Sequence, residues 1–479
     1  MKNPEYDAVV IGSGPNGLSA AITLQQAGLT VLILEAKQTI GGGLRSEELT
    51  LPGFIHDVCS AIHPLAAGSP FFNSLPLEQF GLEFIYPEIA AAHPFDGGTE
   101  AVLKGSVEET ASKLGIDTES YLELLAPLVR NWTDLAPDIL APLHYPKYPL
   151  AMVSFGLNAL KSASFLAKRF KSKEAKGLWA GMAAHSMQSL SNSTSAAAGL
   201  VLLATGHAKG WPVPKGGSKN IAQALASYFI SIGGKIETGA HVKSMSDIPS
   251  SRTLLFDLTP KQILEIAGEH FSSIYKWQLK RYRYGMGVFK IDWALDGPIP
   301  FTASGCLRAG TVHLGNTFEE IAGGEQMTSK GKHPEKPFVL MAQQSIVDPS
   351  RAPQGKHTAW GYCHVPNGSE KDMTAAIEKQ VERFAPGFRD LILAKHTMNT
   401  KEIEVYNPNY IGGDINGGVI DMGQLFTRPA LRTSPYRTSA KGIYICSSST
   451  PPGGGVHGMC GYRAAKQSLK DVFNIDIAL

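Results

Sequence analysis

The chain has 479 residues, 43% of them hydrophobic and 18% charged, which is too long for one ordinary domain and too apolar for disorder. A net charge of +2 excludes the basic surplus of a nucleic-acid binder. The five cysteines, Cys59, Cys306, Cys363, Cys446 and Cys460, include no CxxC, which excludes a disulfide framework and a dithiol redox centre and points to a reducing, cytoplasmic setting.

The first residues, MKNPEYDAVVIG, lead straight from a polar start into a glycine motif and do not read as a signal peptide. No apolar run reaches the roughly 18 residues that span a bilayer. AVVIG reads as a buried strand, and Gly12, Gly14 and Gly17 form GxGxxG. LSAAITLQQAG follows with Leu18, Ala21, Ile22 and Leu24 on one helical face. TVLILE is a second buried strand, closing on Glu35. Strand, glycine turn, helix, strand and acid in this order predict a dinucleotide-binding unit. Gly12 permits the turn, Gly14 lets backbone approach a pyrophosphate, and Gly17 lets helix and strand touch. The helix N-terminus faces the phosphates, and Glu35 accepts from a ribose. A second cluster, Gly41, Gly42 and Gly43 ahead of Leu44 and Arg45, is superfluous for NAD and is a feature of flavin enzymes of the glutathione-reductase-like class. No second complete GxGxxG-acid unit follows, so a dedicated NAD(P)H domain is not expected.

From about Ala101 to Ala208 the pattern departs from this unit and reads as an insertion. Within it, Tyr148 to Gly177 is predicted as one amphipathic helix, apolar at Leu150, Val153, Phe155, Leu157, Leu160, Phe165, Leu166 and Phe170. Lys161, Lys168, Arg169, Lys171 and Lys173 crowd its end. Two readings stand side by side: a helix on a membrane surface, and a packed helix whose cations complement its dipole. Ile221 to Phe229 reads as a helix returning to the nucleotide unit, and TLLFDLTP as another buried strand. Residues 282–366 look β-rich, with Phe289, Ile291 and Trp293 on one face and Trp360, Tyr362 and His364 on another. His56 and His63 flank Cys59 at irregular separations, so no metal site is expected.

Six blocks, GSGPNGLSAA, LEAKQTIGGG, FIHDVCSAIHPL, RYRYGMGVFKIDWAL, YNPNYIGGDINGGVIDMGQLFTRP and YICSSSTPPGGGVHGMCGYRAA, resemble the phytoene desaturase and carotene isomerase family of flavoproteins over essentially the full length. Within it the chain is most similar to the branch called pyridine nucleotide-disulfide oxidoreductase domain-containing protein 2. The resemblance implies an α/β fold: a Rossmann-like FAD-binding domain, similar to glutathione reductase and monoamine oxidase, with an inserted α+β substrate domain on a mixed sheet. The FAD domain would be residues 1–100, 209–262 and 425–479, and the substrate domain 101–208 and 263–424, with a helical part at about 120–208. It implies FAD contacts from Gly12, Ser13, Gly14, Pro15, Asn16, Gly17, Glu35, Ala36, Gly42, Gly43, Leu44 and Arg45, with Val242 at the adenine. Gly454, Gly455, Val456 and His457 would meet the ring.

Two departures stand out. His457 replaces the proline of carotene desaturases, and the block around Asp414 and Asn416 is more polar than theirs. In this frame Gly453, Gly454 and Gly455 let backbone approach a flavin, and a helix from Val456 to Leu469 directs its N–H groups at the charge that develops on reduction. Gly458 and Gly461 would let that helix pack tightly. Candidate proton-handling residues are His457, His56, Asp414 and Tyr410, with a capping role for His457 as the plain alternative. The expected substrate is a hydrophobic polyene or isoprenoid, transformed by hydride transfer at flavin N5. Electrons would pass to oxygen or a quinone, with peripheral membrane contact and no nucleic acid. Amine or alcohol oxidation and non-enzymatic isoprenoid carriage remain as alternatives.

Overall fold

Two sheets carry the architecture of the computed structural model, which describes residues 4–477. The first has five parallel strands in the order Ile443–Ile445, Ser251–Phe256, Tyr6–Ile11, Val31–Glu35, Lys235–Thr238. Its central strands are runs of Val, Ile and Leu buried on both faces, as a parallel sheet covered by helices requires. Helices Pro15–Gln26, Lys219–Ser231 and Met459–Ser468 cover one face through Leu18, Ile22, Leu225 and Met459. Ile263 and Tyr275, from helices Pro260–Ala267 and Ser273–Lys280, cover the other.

The second sheet has seven strands in the order Ile392–Met398, Gly287–Leu295, His357–Val365, Val339–Ala342, Ala309–Leu314, Ile89–Pro94, Glu100–Leu103. All neighbours are antiparallel except Ala309–Leu314 beside Ile89–Pro94. Phe289, Ile291 and Trp293 face helix Thr374–Phe384, as their alternation predicts. The other face turns Trp360 and Leu340 towards a helical layer built from residues 107–209.

Three expectations need correction. Ile89–Pro94 and Glu100–Leu103 belong to the mixed sheet, so the first nucleotide-binding stretch ends before Ile89 and not at 100. Its second stretch extends past 262, because Pro260–Ala267 and Ser273–Lys280 pack on the parallel sheet. Tyr148 to Gly177 is not one helix. It breaks into Pro149–Ala159, Ala163–Ala167 and Lys173–Ala184. Ser162 and Ser172 stop it, because each hydroxyl accepts from a backbone N–H three residues on and starts a new helix.

Candidate active site

Gly12 ends its strand at φ +100°, and Pro15 opens the first helix. A Cβ on Gly17 would run into the Gly12 carbonyl, so only glycine lets this helix start so close to the strand. Glu35 organises the turn. Ser13 donates to it from N–H and hydroxyl at 3.0 and 2.6 Å, Lys37 N–H at 2.9 Å and Arg45 at 3.3 Å. Arg45 also donates to the carbonyls of Thr39 and Gly42. The two glycine clusters meet: a Cβ on Gly42 would lie 3.1 Å from the Gly14 Cα. Leu44 is buried beneath them, Val242 is buried in the cluster of Ile11 and Leu34, and Ala36 is exposed. The buried side-chain oxygen of Asn16 has no protein partner.

Sequence reading missed Asp257, at the end of the Ser251–Phe256 strand. Its Oδ2 accepts from Gly17 N–H at 2.9 Å and would lie 2.6 Å from a Cβ on Gly14. Burial pushes its carboxyl up to about 7 against the Gly17 hydrogen bond, and Glu35 adds to the rise. The signal was the single acid after TLLF, at the end of a strand paired with the first.

At the far end of the chain, Gly453 and Gly455 take φ of +115° and +121°. The C-terminal helix begins at Met459, not Val456, because Gly458 turns left-handed at φ +69° and serves as its N-cap. A Cβ on Gly461 would strike the Asn16 carbonyl, so the first and last helices touch backbone to backbone. His457 therefore precedes the helix. Its Nδ1 accepts from Met459 N–H at 3.0 Å, which leaves the ring proton on Nε2. That Nε2 is buried without a protein partner, and burial drives the imidazole down to about 4, so the ring is neutral. The orphaned Asn16 oxygen, the orphaned His457 donor and the glycine-lined approaches fit a dinucleotide that continues into a ring.

Against Gly43 lies a cavity of about 20 Å³, walled by Val58, Cys59, Val288, Lys290, Tyr362, Met398, Ile403, Tyr406, Tyr410 and Ile415. A Cβ on Gly43 would collide with the Tyr410 hydroxyl. Burial pushes the Cys59 thiol up and the Tyr410 phenol well up, so both stay protonated. Lys290 is buried and ion-paired with Asp292 behind it. Burial alone would raise Asp292, but the Lys290 ammonium holds it below the usual carboxylate range.

The proton-handling candidates separate here. Tyr410 walls the cavity, and His457 stands at the glycine turn. His56 does neither: fully buried, it bonds Thr50 at 2.8 Å, lies 3.7 Å from Asp292, and burial lowers it to about 4. Asp414 is committed to the backbone N–H groups of Gly285, Asn416 and Gly418 at 2.7, 2.8 and 2.9 Å, and it pins a loop. Burial raises its carboxyl. Lys290 and Cys59 were missed, although the alternation of GVFKIDWAL sets Lys290 opposite the buried Phe289, Ile291 and Trp293. Of Trp360, Tyr362 and His364, Tyr362 walls the cavity, while His364 bonds Glu325 at 2.8 Å.

Fold and site define an α/β protein with a Rossmann-like cofactor half, and the cradle fits FAD. The profile of the NAD(P)-binding Rossmann-like domain matches residues 10–73. Mouse pyridine nucleotide-disulfide oxidoreductase domain-containing protein 2 is 26% identical, aligned over 98% of this chain and 94% of its own length. An oxidoreductase structure from Methanosarcina mazei superposes with a TM-score of 0.66 at 15% identity, covering 97% of this chain and 99% of that one. Cyclohexylamine oxidase from Brevibacterium oxydans gives 0.60 at 14% identity, covering 98% and 99%.

Proposed function

We propose that the chain is an FAD-dependent oxidoreductase acting on a hydrophobic, polyene- or isoprenoid-like substrate. FAD, when bound, supplies a hydride acceptor. The observation that carries the substrate class is the lining of the cavity beside Gly43, which at about 20 Å³ has room for about one water and must widen to admit any such substrate. Val58, Val288, Met398, Ile403 and Ile415 make it apolar, and its charged group is a cation, Lys290. A protonated amine would find no free carboxylate in the wall, because Asp292 is already paired with Lys290. An uncharged hydrocarbon needs no such partner. The protonated Cys59 and Tyr410 and the neutral His457 leave the site without an anionic base, which suits chemistry at carbon, where orientation and exclusion of water do most of the work. Oxygen or a quinone would then reoxidise the protein.

Amine oxidation is the second reading, favoured by the fold shared with cyclohexylamine oxidase. Anaerobic visible spectra of the FAD-loaded protein decide between them. Bleaching of the flavin bands by a polyene or isoprenoid alcohol, with no response to amines, is the expected result. Bleaching by an amine, with peroxide released in air, overturns it. A protein that takes up no flavin at all would be an isoprenoid carrier.

A further inference from the structure

The three most exposed large apolar side chains of the described residues stand within eight positions: Leu143 at 85%, Tyr145 at 86% and Leu150 at 89%. Helix Pro149–Ala159 continues the patch. Its inward side packs Ala151, Met152, Phe155 and Ala159 on the helical layer. Its outward side presents Leu150, Val153 and Leu157, spaced three and four apart, hence in one stripe. Solvent-facing helix surfaces are ordinarily polar, and this one is apolar on both sides. The charge along the stretch itself has one sign, with Glu174 pairing Lys173 at its edge at 3.9 Å. From Ile139 to Lys173 the sequence contains Lys147, Lys161, Lys168, Arg169, Lys171 and Lys173 and no aspartate or glutamate. Arg169 is offset by Glu123 at 3.2 Å, and the flanking Asp138 is bonded by His144 at 2.8 Å. Lys147 lies over the Tyr148 ring and Lys161 over the Phe165 ring, so each cation sits against an exposed aromatic side chain of this region. At 11 residues the helix is too short to cross a bilayer, and no helix among the described residues is long and apolar enough to do so.

We propose that this surface docks the protein on an anionic lipid bilayer. The Leu150, Val153 and Leu157 stripe lies at the acyl boundary, and Lys147, Lys161 and Lys168 meet the headgroups. The proposal is independent of the substrate reading, because none of these residues walls the cavity.

Co-sedimentation of the full-length, FAD-loaded protein with vesicles tests it. The vesicles are phosphatidylcholine with or without phosphatidylglycerol. Binding should require the anionic lipid and weaken in high salt. Each of Lys147→Glu, Lys161→Glu and Lys168→Glu should lower the partition coefficient at least about fivefold. Leu150→Glu/Val153→Glu/Leu157→Glu should abolish pelleting while retaining the flavin absorbance of the parent, which reports an intact fold. Failure of the parent to pellet overturns the proposal, as does equal pelleting by the glutamate triple. Self-association that the triple removes, without lipid binding by the parent, would make the patch a contact between copies and would also overturn it.

Discussion

The cofactor cradle and the cavity wall meet at Gly43 but are built in opposite ways. In the cradle, backbone does the work: Gly17 against Gly12, Gly42 against Gly14, Gly461 against Asn16. In the wall, side chains do it: Lys290, Tyr362 and Met398 from neighbouring strands, Tyr406 and Tyr410 from the end of helix Thr400–Tyr406 and the loop after it, Cys59 from a third segment. A backbone cradle demands glycine at fixed offsets and tolerates little else. A wall of side chains sets only the sum of shape and charge. The two should therefore fail separately when each is damaged.

The largest expected effect is on the wall. Lys290→Met removes the partner of a fully buried carboxylate and should cost about 3–5 kcal/mol of stability. FAD should still bind, since Lys290 takes no part in the cradle. The double variant Lys290→Met/Asp292→Asn should recover much of the loss, because no uncompensated charge remains. Denaturant midpoints with flavin absorbance measure both. Loss of FAD from the single variant at a stability that still folds would show that cradle and wall are one unit.

The same division explains what could be read from sequence. GxGxxG with Glu35, the second glycine run and the TPPGGG turn announce themselves because each serves a local backbone shape, and the cradle was legible from both ends of the chain. Lys290, Cys59 and Asp257 were not. Each lies where strands or segments far apart in sequence converge, and alone each looks like an ordinary core position. The domain boundaries slipped for a related reason: Ile89–Pro94 is apolar enough for either sheet, and only its pairing with Ala309–Leu314 assigns it. The broken helix at 148–177 was a matter of local chemistry overlooked, since Ser162 and Ser172 are ordinary N-caps inside an apolar periodicity.

A middle-sized effect probes the cradle. Asp257 is raised from 3.8 to about 7, so the native state holds its proton more tightly than the unfolded chain. Stability from this group is present below about pH 4 and falls as pH rises to about 7. Asp257→Asn removes that decline and should gain on the order of 2 kcal/mol relative to the parent between pH 5 and pH 8, after allowing for relaxation around a buried charge. Melting temperatures of the pair across this window measure it, and a constant difference would mean that Asp257 titrates normally. The amide should also favour retention of FAD at pH 8, since the Gly17 N–H would then face a neutral group beside the pyrophosphate.

The smallest effect separates two roles of one residue. From the position before the Gly458 N-cap, His457 accepts the first-turn N–H of Met459 at Nδ1, a cap-like bond, and carries an unpartnered proton on Nε2. Loss of a cap alone costs about 1 kcal/mol, and His457→Ala should show at least that. His457→Asn can restore a side-chain acceptor for Met459 N–H but cannot place a donor where Nε2 stands. If the Nε2 proton serves the flavin, both variants shift the flavin spectrum and its midpoint potential, and only the alanine form loses the cap energy. If the spectrum and potential of both match the parent, the histidine is a cap and the wall alone sets reactivity. Its pKa near 4 sharpens the test: between pH 6 and 9 the parent's flavin potential should carry no inflection from His457, so any histidine inflection there belongs to another residue.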